Sequence, residues 1–226
     1  DLFVALEEAL KANYKKIISR KFDYIYAVGR SKLCLVAHID TFRNNYQKID
    51  LKRINNILIN KNGVLGADDR AGVYAILKIV GLCNIRKIHM PSVIFANQEE
   101  LGGLGIRQFL EDQVFQGKTD LWIELDRRHA NDYCFYSDYL PKRVKEYVES
   151  FGFVESRGIF SDIFYLSEAF RIPGINLSIG FYNEHTDHER LHLDELYLTI
   201  HRVLMMLNNP IRRLYLLQKK KKYLYR

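Results

Sequence analysis

Val93-Ile94-Phe95-Ala96-Asn97-Gln98-Glu99-Glu100-Leu101-Gly102-Gly103-Leu104-Gly105 joins an apolar run to two adjacent carboxylates and a glycine-rich turn. The run has the length and residue types of a buried strand, and the glycines beyond it mark the turn that leaves it. In an open sheet of strands and helices, ligands collect where loops leave the carboxyl ends of strands. Glu99 and Glu100 stand at such an end. Taken alone, a Glu-Glu pair is read most simply as a solvated acidic loop; the rest of the chain repeats the arrangement.

Residues 33–37 form a β-rich run ending at His38-Ile39-Asp40, residues 121–125 lead to Asp126, and residues 175–179 precede His185. Asp68 opens a helical pattern in Gly66-Ala67-Asp68-Asp69-Arg70-Ala71-Gly72. If these strands are parallel and adjacent, the acids and imidazoles converge on one rim of the sheet. Several carboxylates crowded in a partly buried place repel one another strongly unless cations lie among them. Imidazole plus carboxylate without thiolate suits zinc, and equally cobalt or manganese, whereas magnesium and calcium call for more oxygen donors. The number of ligands implies two ions, which a bridging carboxylate holds about 3.5–4 Å apart.

Helical spacing covers residues 2–18, 71–82, 106–115, 140–151, 162–170 and 195–207, and β-rich runs cover 24–28, 33–37, 92–96, 121–125 and 175–179. The runs around Gly29-Arg30-Ser31 predict one hairpin, and residues 57–59 and 64–65 around Asn60-Lys61-Asn62-Gly63 predict another. Asp68 or Asp69 stands where an N-cap belongs, and Asn208-Asn209-Pro210 stops the last helix. The alternation predicts an α/β fold: a single-domain αβα sandwich with a mixed, mainly parallel central sheet and no inserted lid domain. Residues 1–210 form the catalytic domain on this reading, and residues 211–226 a basic C-terminal tail.

Composition bounds the remaining possibilities. The 226 residues are 48% hydrophobic and 27% charged, ordinary for a soluble domain, and no apolar run approaches the roughly 20 residues that span a bilayer. Cys34, Cys83 and Cys134 are odd in number and widely spaced, which suggests neither a disulfide framework nor a cysteine-based zinc finger. A cytoplasmic location is expected. The net charge of +7 invites a nucleic-acid reading, but Arg212, Arg213, Lys219, Lys220, Lys221, Lys222 and Arg226 account for all of it. The body is neutral, so nucleic acid is not the expected partner. The tail is read as a solvated end, a membrane-surface or nucleic-acid patch, or a contact between copies in a homo-oligomer.

His38-Ile39-Asp40, Gly66-Ala67-Asp68-Asp69-Arg70-Ala71-Gly72, Glu99-Glu100-Leu101-Gly102-Gly103, Leu125-Asp126 and His185-Thr186 resemble, in order and spacing, the five motifs of the co-catalytic di-zinc exopeptidases. That superfamily includes leucyl and glutamyl aminopeptidases, tripeptidases of the peptidase T type, and aminoacylase and carboxypeptidase relatives. The resemblance implies that His38 binds one zinc and His185 the other, that Asp68 bridges them, and that Glu100 and Asp126 complete their shells. It implies that Asp40 hydrogen-bonds the His38 imidazole and that Glu99 is the general base. The implied activity is hydrolysis of short peptides, most simply as an aminopeptidase. A deacylase, a carboxypeptidase or a non-catalytic scaffold remain alternatives.

Some assignments have competitors. Asp69 competes with Asp68 for the metals, and His188 and His192 with His185, which is preferred because it follows a strand and turn and because Glu189 fits the closing motif. His89, His129 and His201 are expected to be structural or exposed, and Cys34 to lie in strand core. Phe42, Phe181 and Tyr182 lie beside proposed ligands and either line a pocket or simply pack. Arg127 and Arg128 directly follow a proposed ligand; two cations there either receive a substrate carboxylate or, the favoured expectation, point into solvent.

Overall fold

The computed structural model of the chain describes residues 2–42, 49–136, 140–158 and 160–211. In chain order its elements are α1 (Leu2–Lys11), β1 (Ile17–Arg20), β2 (Tyr24–Ala27), β3 (Leu33–His38), β4 (Leu51–Ile54), β5 (Ile57–Asn60), α2 (Ala67–Arg86), β6 (Ser92–Ala96) and α3 (Leu104–Glu111). They continue with β7 (Leu121–Arg127), β8 (Asp132–Cys134), α4 (Lys142–Glu149), β9 (Val154–Glu155), α5 (Asp162–Phe170), β10 (Gly174–Ser178), β11 (Phe181–Tyr182), β12 (Arg190–His192) and α6 (Leu193–Asn208). Residues 212–226, nearly all of the predicted basic tail, lie outside the described residues.

An eight-stranded sheet runs in the order β1-β2-β6-β3-β7-β10-β8-β9. Its central strands β6, β3, β7 and β10 are parallel, and antiparallel pairs flank them at β1-β2, β2-β6 and β10-β8. The central strands are buried at nearly every position, as expected where helices cover both faces. Side chains alternate across the sheet. Leu35, Ala37, Val93, Phe95, Ile123 and Leu125 pack with α1, α2, α4 and α6, while Val36, Ile94, Ala96 and Trp122 pack with α3 and α5. The chain is thus an αβα sandwich of one domain, with no further domain inserted among the described residues. A small antiparallel sheet, β11-β12-β5-β4, packs beside α2 and α6.

Local signals failed where long-range pairing outweighed them. The first helix stops at Lys11, not residue 18, because the Tyr14 hydroxyl donates to Pro91 O at 2.8 Å and Ile17–Arg20 pairs with β2. Strands β2 and β3 are not a hairpin. Arg30 N and Ser31 N both donate to Met90 O at 2.8 Å, so the connection crosses the start of β6, which inserts between them. A Cβ on Gly29 would lie 2.2 Å from Pro91 O, so the crossing requires glycine. The second hairpin turns at Asn55-Asn56 between β4 and β5, not at residues 60–63; there the Asn60 side chain closes a turn by donating to Val64 O at 2.9 Å.

Helix α2 approaches β7 closely enough that a Cβ on Gly72 would lie 2.1 Å from Leu125 O. Gly72→Ala is therefore expected to push the helix from the sheet and cost about 1–3 kcal/mol, read as a lower denaturant midpoint. An unchanged midpoint would show that this packing tolerates expansion.

Candidate metal centre and its cleft

The centre is assembled at the carboxyl ends of β3, β6 and β7. Strand β3 pairs in parallel with both neighbours, and the register sets Val36 opposite Glu124 and His38 opposite Ala96. Two residues further along, Asp126 comes level with His38, on the same face of the sheet. Beyond β6 the chain turns through Glu99 and Glu100, whose N–H groups donate to the two oxygens of Asp40 at 3.1 and 3.2 Å. The His38 Nδ1 lies 3.3 Å from that carboxylate. Asp40 thus ties the imidazole and the Glu-Glu turn to one another.

The Asp-Asp pair divides its work. Asp68 and Asp69 have non-helical backbone angles and are joined by a cis peptide bond, so regular helix begins after them. Asp69 is wholly buried; its oxygens accept from Gly72 N at 3.0 Å, capping the helix, and from His38 N at 3.2 Å. Asp68 turns to the centre instead. Its loop is held by Glu189, which accepts from Gly66 N at 2.7 Å and from Asp68 N at 3.0 Å.

His38 Nε2 lies 3.0 Å from Asp68 Oδ1 and 3.4 Å from Asp126 Oδ1. His185 Nε2 lies 3.1 Å from the other Asp68 oxygen, Oδ2, and 2.8 Å from Glu100 Oε1. Two groups of potential ligands result, His38, Asp68 and Asp126, and Asp68, Glu100 and His185, with the donor atoms of each within 4.8 Å of one another. The His185 ring stacks on Phe42 at 4.2 Å between centroids. A cleft of about 410 Å³ opens over the centre, lined by Asp68, Glu99, Glu100, Asp126 and His185 among others.

Crowding shows in the proton affinities. Burial opposes ionisation of Asp68, yet hydrogen bonds from His185 and His38 hold it well below the usual carboxylate range. Burial, with the charges of Asp68 and Asp69, pushes Asp126 well up. Burial lifts Glu99 to about 7, with His38 opposing and Glu100 and Asp68 adding to the rise. The hydrogen bond to Asp68 lifts His185 to about 9, against burial.

All seven residues singled out in the sequence, His38, Asp40, Asp68, Glu99, Glu100, Asp126 and His185, come together. The route to His185 differs from the expectation: it sits in the hairpin between β11 and β12 of the small sheet, not at the end of a main-sheet strand. His188 and His192 belong to neither ligand group, and Cys34 is strand core. Phe181 lines the cleft, whereas Tyr182 stacks on His129 and donates to Glu195 at 2.8 Å. Arg127 and Arg128 do not simply point into solvent; both line the cleft.

The sequence reading missed two acids. Glu124 lies two residues before Asp126 on the same strand face, and burial lifts it to about 8. The helical spacing of residues 162–170 marks Asp162 only as the start of a helix. It lies below the Glu-Glu turn, 3.0 Å from where a Cβ on Gly103 would stand, and neither oxygen has a hydrogen-bond partner among the described residues. Period-two alternation through Glu124-Leu125-Asp126 was the available signal for the first; nothing local marked the second.

No model of a known protein family matches the chain, and no curated protein resembles it in sequence. Solved structures do match. A tripeptidase from Staphylococcus aureus superposes with a TM-score of 0.75 at 14% identity, covering 92% of each chain. Aminopeptidase PepT from Bacillus cereus gives 0.74 at 11% identity, again over 92% of each chain. The chain has the fold of these peptidases. A TET aminopeptidase from a marine sediment archaeon, Thaumarchaeota archaeon SCGC AB-539-E09, gives 0.70 at 11% identity over 92% of this chain and 91% of the other. None of the described helices is long and apolar enough to cross a membrane.

Burial, joined by the charges of Glu124 and Glu99, raises Asp162 well above the usual range. The folded state therefore holds this proton more tightly than the unfolded chain, so stability from this group is greatest below the unfolded pKa and falls as pH rises toward the folded one. Asp162→Asn is expected to gain stability relative to the parent as pH rises above about 4, followed by thermal unfolding. A gap independent of pH would contradict the assignment.

Proposed function

We propose that the protein is a metal-dependent peptidase that hydrolyses short peptides, using two zinc ions and releasing N-terminal residues. The observation that supports this most strongly is the pair of ligand groups sharing Asp68 through separate oxygens.

The donor set fits such ions. At zinc–ligand distances of 2.0–2.2 Å, tetrahedral geometry places neighbouring donors roughly 3.3–3.6 Å apart; the imidazole–carboxylate distances here, 2.8 to 3.4 Å, lie within or a few tenths of an ångström short of that spacing, so a small opening of the donors would admit an ion. His38 and Asp126 would hold one ion, Glu100 and His185 the other, with Asp68 between. When bound, such ions lower the pKa of a coordinated water and polarise a carbonyl oxygen.

The chain's own residues supply the rest. Glu99 stands in the cleft beside the ligands and is placed to take a proton from the attacking water and deliver it to the leaving amine. Asp40 orients the His38 ring and anchors the backbone of Glu99 and Glu100, the supporting role that residues behind metal ligands play. Burial of His38, Asp69 and Glu189 keeps water from the back of the site. An aminopeptidase is preferred over a deacylase or carboxypeptidase on the likeness to the aminopeptidase and tripeptidase structures.

Zinc-loaded protein is expected to contain two equivalents by elemental analysis and to hydrolyse aminoacyl anilides. Glu99→Ala and Glu99→Gln should keep both ions and lose about 10²–10⁴-fold in kcat. Undiminished turnover in both variants removes Glu99 as the base, and full loading without hydrolysis of any peptide removes the peptidase reading.

A further inference from the structure

The cleft that carries the ligands is lined by five carboxylates, Asp68, Glu99, Glu100, Asp126 and Glu184, yet it also holds two guanidinium groups. These cations differ in what they have left to give. The Arg127 side chain is only 12% exposed and is spent on the protein. Its Nε donates to Asp132 at 2.8 Å, its Nη2 to Ser156 Oγ and Arg157 O at 3.0 Å each, and its Nη1 to Cys134 Sγ at 3.4 Å. Arg127 is wall.

Arg128 is 50% exposed, and its Nη1 donates to Glu184 Oε1 at 2.7 Å. Its position matters as much as its freedom. Arg128 lies two residues beyond Asp126 and Glu184 immediately before His185, so the pair joins, in the lining of the cleft, the end of β7 to the hairpin that carries His185. A single contact made by a half-exposed guanidinium to a mostly buried carboxylate is weaker than a bidentate one and can be exchanged for it. A guanidinium presents five N–H donors in a planar fork matched to two carboxylate oxygens, and Glu184 engages Nη1 alone.

Resting on the peptidase reading for the identity of the ligand, we infer that Arg128 is a specificity residue that binds a carboxylate of the peptide, exchanging its contact with Glu184 for the substrate. Such a carboxylate comes from the free C-terminus of a short peptide or from an acidic side chain, and both would meet the same fork. The protein is then selective for peptides that bring a negative charge to the rim, and the leaving of that charge after hydrolysis and release restores the Arg128–Glu184 pair.

Binding by calorimetry to zinc-loaded Glu99→Gln protein tests this without turnover, using Leu-Gly-Gly, its C-terminal amide, and Leu-Gly-Glu amide. Leu-Gly-Gly is expected to bind at least about tenfold more tightly than its amide, the effect of one charge-assisted bidentate contact. Leu-Gly-Glu amide recovers the difference if a side-chain carboxylate serves, and matches the plain amide if only the terminus does; either supports Arg128 as the reader and identifies the source. Adding Arg128→Gln should bring all three affinities together, and Arg128→Lys should restore part of the spread. Equal affinities with Arg128 intact, or a spread that survives Arg128→Gln in protein with an unchanged circular dichroism spectrum, overturns the inference. The peptidase reading is judged separately by turnover of the parent protein, so either can fall alone.

Discussion

One carboxylate facing two imidazoles is the constraint around which this protein is arranged. Asp68 offers Oδ1 to His38 and Oδ2 to His185, and it can do so only if its backbone leaves the helical path that its neighbours follow. Glu189 makes this possible by taking up the N–H groups that the irregular loop leaves unpaired. Asp69 then restores order, capping α2 and holding the end of β3 in the same step. The two adjacent aspartates have opposite fates because one points to the rim and the other into the protein.

The sheet supplies the precision. Parallel pairing of β3 with both β6 and β7 fixes which residues come level at the carboxyl edge, and the buried central strands leave little room for that edge to shift. Several of the residues that face the cleft come from less regular elements: the turn after β6, the loop before α2 and the hairpin between β11 and β12. The first two are tied back by carboxylates, Asp40 for the first and Glu189 for the second, so that these loops are anchored by acids outside the two ligand groups.

Concentrating negative charge in this way has consequences behind the rim. Glu124 and Asp162 lie buried on the side of the sheet covered by α3 and α5, where both favour the neutral form. Stability is given up there as the pH rises, and the apolar layers on both faces of the sheet must offset it. The cleft has its own balance, for Arg127 fixes the wall beside the acids while Arg128 pairs with Glu184 in its lining.

The sequence by itself determined the fold class, the approximate place of every helix, the five central-sheet runs and the seven residues that meet at the centre. Apolar periodicity and motif spacing are local properties, and they survive being read one segment at a time. What it did not determine was which strands are neighbours. Nothing near Gly29 announces that β6 will insert between β2 and β3, and nothing near His185 announces a second sheet, because both depend on backbone pairing between distant segments. The same holds for the charges: Asp162 carries no distinguishing local pattern, and although alternation marks Glu124, the closing motif Glu189 and adjacency to Asp126 the two arginines, only packing decides whether such a charge is buried, tied to a loop or left facing the cleft.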